Sequence, residues 1–256
     1  MTKNRSRVLE FVAQRQIDLT LFYFLTISFT KTFLTLYLIV LPMVYPIGKL
    51  TVRPVCMLWV RKIEGLDNIP KGKPFIIASN HASYYDSLLV PSAIVPRIDK
   101  KLHALVNSYY WKPFLTGFFL NLWEAIPVYV DKEKNSKEKN RQATEKAINY
   151  LKNKELVMIF PEGRRNDGKL IRAYTGVAKI ALKARVPVLP VGVIDSNKVL
   201  PKGKTFPRFK RCEVKIGRLM GFEKYYSKKV NEKTYQNITR QIMKQIAGLI
   251  GQKYNY

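Results

Sequence analysis

Phe75-Ile76-Ile77-Ala78-Ser79-Asn80-His81-Ala82-Ser83-Tyr84-Tyr85-Asp86 is the stretch whose reading decides the fold. The apolar run Phe75 to Ala78 reads as a strand, and the segment from Tyr84 to Ile94 reads as a helix. Asn80 to Ser83 is then a strand-to-helix loop. It carries one of the protein's 2 histidines, with a carboxylate five residues on.

The same alternation runs outward from this point. Apolar, often β-branched runs recur at Phe75 to Ala78, Leu102 to Val106, Ile126 to Val130, Leu156 to Phe160, Val186 to Val193 and Val214 to Ile216. Between them, Tyr84 to Ile94, Tyr109 to Leu122, Lys137 to Asn153 and Tyr174 to Ala184 read as helices. Strands alternating with helices predict an α/β architecture with a largely parallel central sheet flanked by helices. A last helix, Lys233 to Ile250, carries Ile238, Ile242, Met243, Ile246 and Leu249 on one stripe, the pattern of a helix packed on a core.

Upstream, Glu64 to Lys73 is a connector rich in turn residues, with Gly65, Pro70 and Gly72, and Pro74 follows it. It separates residues 63–256, the main domain, from an N-terminal region of residues 1–62. That region begins with a basic leader (Lys3, Arg5, Arg7, Arg15) and continues as an apolar run from Leu19 to about Ile47, interrupted by Lys31. A spanning helix needs about 20 mostly apolar residues, and the charge-free parts on either side of Lys31 are shorter. A helical hairpin dipped into one leaflet would keep both ends on the cytoplasmic face. One tilted spanning helix with Lys31 snorkelling and a soluble helical pair are the competing readings.

Composition bounds the partners. The 256 residues, 47% hydrophobic, are enough to bury a core and argue against general disorder. A formal net charge of +27 points to anionic partners such as phospholipid headgroups, phosphorylated metabolites or nucleic acid. Cys56 and Cys212 match no metal or redox spacing, so two reduced thiols are expected. The histidines and carboxylates show no metal-ligand spacing either, and no metal is expected.

Residues five apart on a continuous helix point about 140° away from each other, so His81 must precede the helix that holds Asp86. If Ser83 caps a helix starting near Tyr84, Asp86 falls in its first turn and reaches back to the imidazole. A histidine so oriented is a general base, and with no serine or cysteine placed as nucleophile the attacking hydroxyl would come from the substrate. The plainer alternative is a capped turn: Ser83-x-x-Asp86 resembles a capping box, with His81 an ordinary loop residue. A second charged stretch, Phe160-Pro161-Glu162-Gly163-Arg164-Arg165-Asn166, also follows a strand. Gly163 permits close backbone approach, and guanidinium groups grip phosphate bidentately, although a solvated turn would carry the same charges.

These two blocks, in this order, resemble the N-H-x-x-x-x-D and F-P-E-G-x-R blocks of the glycerolipid acyltransferase family typified by 1-acylglycerol-3-phosphate acyltransferases. The resemblance covers about Ile63 to Ile216. It extends to Ala125-Ile126-Pro127-Val128, Asp167-Gly168-Lys169-Leu170 and Val186-Pro187-Val188-Leu189-Pro190-Val191. It implies acyl transfer from an acyl thioester, carried by coenzyme A or acyl carrier protein as co-substrate, to the free hydroxyl of a lysophospholipid, most simply 1-acylglycerol-3-phosphate. No bound cofactor is implied. Carried over, His81 is the base and Asp86 its orienting partner. Glu162, Gly163 and Arg165 match the acceptor-binding block, with Arg165 as phosphate ligand and Arg164 at the variable position. Amides at the start of the Tyr84 helix are candidates for an oxyanion site.

The resemblance also implies a membrane enzyme working on anionic membrane lipids at the cytoplasmic face, with no nucleic-acid partner. Two departures bear on the acceptor. Val130-Asp131-Lys132 stands where many relatives carry an arginine, and Tyr174-Thr175 where relatives tend to place a cation before Gly176; Lys101 and Lys112 are possible substitutes for the missing charge. Two other classes account for parts of the sequence. A basic membrane- or nucleic-acid-binding protein explains the charge and leaves the histidine idle; a catalytically silent relative fits the departures.

Overall fold

A computed structural model describes residues 51–98, 100–130 and 133–256. The expected helical hairpin within Leu19 to Ile47 lies outside the described residues, as do Asp131 and Lys132. Seven strands, β1 (Val60–Glu64), β2 (Ile76–Ser79), β3 (Leu102–Asn107), β4 (Ile126–Val128), β5 (Leu156–Ile159), β6 (Val188–Ile194) and β7 (Cys212–Ile216), form one sheet in the order β1-β7-β6-β2-β5-β3-β4. Every pairing is parallel except β6 with β7. The expected architecture of a largely parallel sheet flanked by helices is therefore present.

Strand alternation sorts the core into two layers, because successive side chains leave a strand on opposite faces. On one face, Ile76, Ala78, Val157, Ile159 and Val188 pack against helices α3 (Ser136–Lys152), α4 (Gly176–Ala184) and α6 (Glu232–Leu249). On the other, Phe75, Ile77, Leu156, Met158, Leu189 and Val191 meet α1 (Asp86–Ile94) and the helical residues 51–57. The stripe on α6 does what its spacing predicted: Ile238, Ile242, Met243 and Ile246 are fully buried. Helix α2 (Phe114–Leu122) is the exception, burying only Gly117 and Leu122. A four-residue α5 (Ser196–Val199) follows β6.

Three elements differ from the sequence expectation. The helix expected over Tyr109 to Leu122 is a 3-10 turn, Ser108–Trp111, followed by α2, because Pro113 interrupts it. Proline disfavours helical geometry at the residue before it and has no amide to donate, so the chain restarts at Pro113. Helix α1 begins at Asp86 rather than Tyr84. Strand β1 was not expected at all: its Arg61 and Lys62 are exposed, as suits an edge strand, and charge of this kind hides the period-two signal. Cys56 and Cys212 are buried free thiols.

Candidate active site

Strand β2 lies beside β5 in parallel register, with Ile76 opposite Val157 and Ala78 opposite Ile159. The loops that leave their C-terminal ends therefore emerge side by side, where open parallel sheets form their clefts. One loop carries His81, the other Glu162 to Asn166.

The His81 loop is pinned from several sides. Asn80 closes a two-way amide bridge to β6, donating to the Val193 carbonyl and accepting from the Val193 N–H, both at 2.8 Å. The Ser83 hydroxyl donates to the Leu200 carbonyl at 2.7 Å. His81 Nδ1 lies 3.1 Å from Asp86 Oδ2. That same oxygen accepts the Ala82 and Ser83 N–H groups at 2.7 Å each. Asp86 is fully buried, and its other oxygen, Oδ1, has no hydrogen-bond partner. The imidazole stacks on Phe160 with centroids 4.0 Å apart and planes 13° apart.

The two geometries considered for this loop, a capped turn and a carboxylate facing the imidazole, thus coexist. Asp86 holds the first backbone amides of the turn and faces the imidazole at once. The cap itself differs from the expected one: Ser83 Oγ accepts from the Tyr85 N–H at 3.1 Å, and Tyr85, whose side chain makes no cap bond, occupies the position before the helix. Most of the amides offered for an oxyanion site already have acceptors. The Ala82, Ser83, Tyr85, Asp86 and Ser87 amides are already taken up by Asp86 Oδ2, Ser83 Oγ, the Ser83 carbonyl and the Tyr84 carbonyl.

The second loop is bound to the first through Glu162, whose carboxylate accepts the His81 N–H at 2.9 Å, the Ile171 N–H at 2.9 Å and both contacts of the Asn166 amide. The His81 carbonyl in turn accepts the Asn166 N–H at 2.7 Å. Glu162 is buried, and burial pushes its carboxyl above the usual range against the pull of the Ile171, His81 and Asn166 donors. Its oxygens thus face the protein's own amides. Gly163 has φ of 66°, a left-handed conformation that favours glycine, and a Cβ there would sit 2.8 Å from the exposed Tyr174 ring, which would have to move.

The two arginines diverge. Arg164 is exposed. The Arg165 guanidinium lies over the Tyr84 ring, 3.4 Å from its centroid, and its Nη1 is buried with no hydrogen-bond partner. Tyr84 Oη is 2.8 Å from Tyr110 Oη. His81, Asp86 and Arg165 are thus drawn into one neighbourhood by Glu162, Asn166 and Tyr84.

Of the proposed substitutes for missing charge, Lys101 pairs with Glu124 just before β3, at the opposite end of the sheet, and Lys112 lies over the Tyr109 ring. The other histidine, His103, also belongs to that opposite end, stacked on Tyr150 and bonded to Glu124 and Glu155. Asn80, Asn166 and Phe160 were given no site role by sequence reasoning. Asn80 and Asn166 stood inside the quoted blocks, but the Asn80 side chain bonds Val193 on β6 and the Asn166 N–H bonds the His81 carbonyl. Among the described residues, no group of three or more His, Cys, Asp or Glu side chains is placed to hold a metal ion.

A family model described as Acyltransferase matches residues 60–194. The chain is 26% identical over 162 residues to 1-acyl-sn-glycerol-3-phosphate acyltransferase alpha of Mus musculus, covering 60% of this chain and 53% of the relative. It is 28% identical over 155 residues to 1-acyl-sn-glycerol-3-phosphate acyltransferase of Borreliella burgdorferi, covering 58% of each. The chain spans about half the length of such curated relatives. Its fold is similar to the crystal structure of the 1-acyl-sn-glycerophosphate acyltransferase of Thermotoga maritima. The TM-score is 0.59 at 24% identity, over 79% of this chain and 76% of that one.

Proposed function

The chain belongs to the acyltransferase family, and from that premise we propose that it moves an acyl group from an acyl thioester to the free hydroxyl of 1-acylglycerol-3-phosphate, giving phosphatidic acid. The thioester is carried by coenzyme A or acyl carrier protein. The observation that carries this reading is the contact of His81 Nδ1 with buried Asp86, in a loop fastened to the one that holds Arg165.

With Nδ1 turned to the carboxylate, Nε2 is the nitrogen that takes the acceptor's hydroxyl proton. The oxygen then attacks the thioester carbonyl, the C–S bond breaks, and the imidazolium returns its proton to the departing thiolate. Asp86 stabilises the imidazolium between these steps. Phe160 limits rotation of the ring. Arg165 takes the acceptor's phosphate, which supplies the oxygen partner its Nη1 lacks. Glu162 and Asn166 position the two loops rather than contact the lipid, and Arg164 lies on the solvated face.

Such a substrate places the enzyme at a membrane, and we assign it to anionic lipid at the cytoplasmic face. Among the described residues no helix is long and apolar enough to cross a membrane. Support comes from α2, which leaves Phe114, Leu115, Phe118 and Phe119 exposed on the segment that follows β3, beside the strand ends that carry the site.

The test is transfer of a labelled acyl group to 1-acylglycerol-3-phosphate by wild type and His81→Ala. A general base contributes about a hundredfold to ten-thousandfold, and the variant should lose that much in kcat while its unfolding midpoint holds. Equal rates in the two proteins would remove His81 from the chemistry.

A further inference from the structure

We propose that Tyr84, braced by Tyr110, is a positioning residue that fixes the Arg165 guanidinium for an anionic acceptor headgroup. The inference rests on the reading of Arg165 as a phosphate ligand and extends it to two residues that the motifs do not assign.

An arginine on a loop samples many rotamers and gives up that freedom when it binds. Here the guanidinium already has a seat, 3.4 Å over the centre of the Tyr84 ring. Stacking of this kind fills one face of the planar cation and leaves its edge nitrogens for hydrogen bonding. Nη1 is buried and has no partner, although a buried donor left unbonded costs about 1–3 kcal/mol. An oxygen anion entering from outside would complete it.

Tyr84 is itself held. Its ring meets Tyr110 edge-on, with centroids 5.8 Å apart at 87°, and the two hydroxyls are 2.8 Å apart. Tyr110 belongs to the Ser108–Trp111 turn that follows β3, so Arg165, Tyr84 and Tyr110 join the loops after three successive sheet neighbours, β5, β2 and β3. One hydroxyl proton is shared between the phenols and the second stays available to a phosphate oxygen. Burial and the Tyr84 hydroxyl push the Tyr110 phenol up to about 12, which keeps that hydroxyl neutral beside an incoming anion.

The test uses the full chain, with acyl-CoA saturating and 1-acylglycerol-3-phosphate varied, in wild type, Tyr84→Leu, Tyr84→Phe, Tyr110→Phe, Arg165→Ala and the Tyr84→Leu/Arg165→Ala double variant. Loss of the stack should raise KM for the acceptor about tenfold in Tyr84→Leu, with kcat within about twofold. Tyr84→Phe and Tyr110→Phe keep the ring and lose only the hydroxyl pair, so each should raise KM about two- to threefold. The double variant should match Arg165→Ala alone, since Tyr84 acts through Arg165.

Additive effects in the double variant, or an unchanged KM in Tyr84→Leu, would overturn the positioning role. An unchanged KM in Arg165→Ala would overturn the phosphate-ligand reading as well. A turnover-free arm separates the two ideas: inorganic phosphate should raise the unfolding midpoint of wild type, less that of Tyr84→Leu, and not that of Arg165→Ala. That pattern in a protein with no acyl transfer would sink the proposed reaction and leave the positioning intact. A phosphate response equal in wild type and Tyr84→Leu would remove the positioning role independently of turnover.

Discussion

At Glu162, donors from two loops meet two carboxylate oxygens: the His81 amide from one, and the Ile171 amide and the Asn166 side chain from its own. Replacing it by glutamine leaves one oxygen for those donors and turns an NH2 group toward another, at a cost of about 1–3 kcal/mol. Its titration adds a pH signature. Because burial raises the folded-state carboxyl above its unfolded value, its contribution to stability is full below the unfolded value and declines as pH rises through the folded one. The stability advantage of wild type over Glu162→Gln, from urea midpoints, should therefore be largest below the unfolded carboxyl value of about 4.3 and narrow as pH rises above it. A gap that widened over that range would mean the ionised carboxylate is the form the fold favours. Glu162 also marks a limit of motif reading, since nothing in Phe160 to Asn166 says that its glutamate points inward at the neighbouring loop.

At the scale of the element, α2 carries the membrane assignment. Phe114 is 82% exposed and Leu115 is 69% exposed, on a nine-residue helix that contains no charged residue. Burying a side chain of this size in apolar surroundings is worth about 1.5–3 kcal/mol. The Phe114→Ser/Leu115→Ser variant should accordingly partition onto anionic vesicles at least about tenfold more weakly, read by cosedimentation, and turn over detergent-dispersed acceptor within about twofold of wild type. Undiminished vesicle binding would leave α2 without this role. The helix's start is set by Pro113, visible in the sequence but overridden in an apolar reading that ran straight through it. Helix α1 offers the converse case: its apolar run was legible, while its start at Asp86 depended on a carboxylate that binds backward to the Ala82 and Ser83 amides.

For the whole molecule, a net charge of +27 predicts long-range attraction to anionic lipid that salt removes. The Debye length falls from about 10 Å at 0.1 M salt to about 3 Å at 1 M. Vesicle binding of wild type should weaken steeply across that range, and the loss caused by the α2 substitutions should persist at high salt because apolar burial is not screened. Binding that ignored salt would assign the charge another purpose.

The sequence by itself determined the α/β class, most of the strands and helices and the two charged loops, because hydrophobic period and turn chemistry are local properties of a chain. Edge strand β1 escaped it, since an edge is solvated and its charges interrupt the period. What only the tertiary structure decided is which residues meet. The order β2-β5-β3 sets three loops side by side, so that Glu162 fastens one loop to the next and Tyr84 receives Arg165. The physical reason is range: periodicity is written over a few residues, whereas the hydrogen bonds and the stack that join these loops cross up to 85 positions of chain, from His81 to Asn166, and exist only once the parallel sheet has aligned its strand ends.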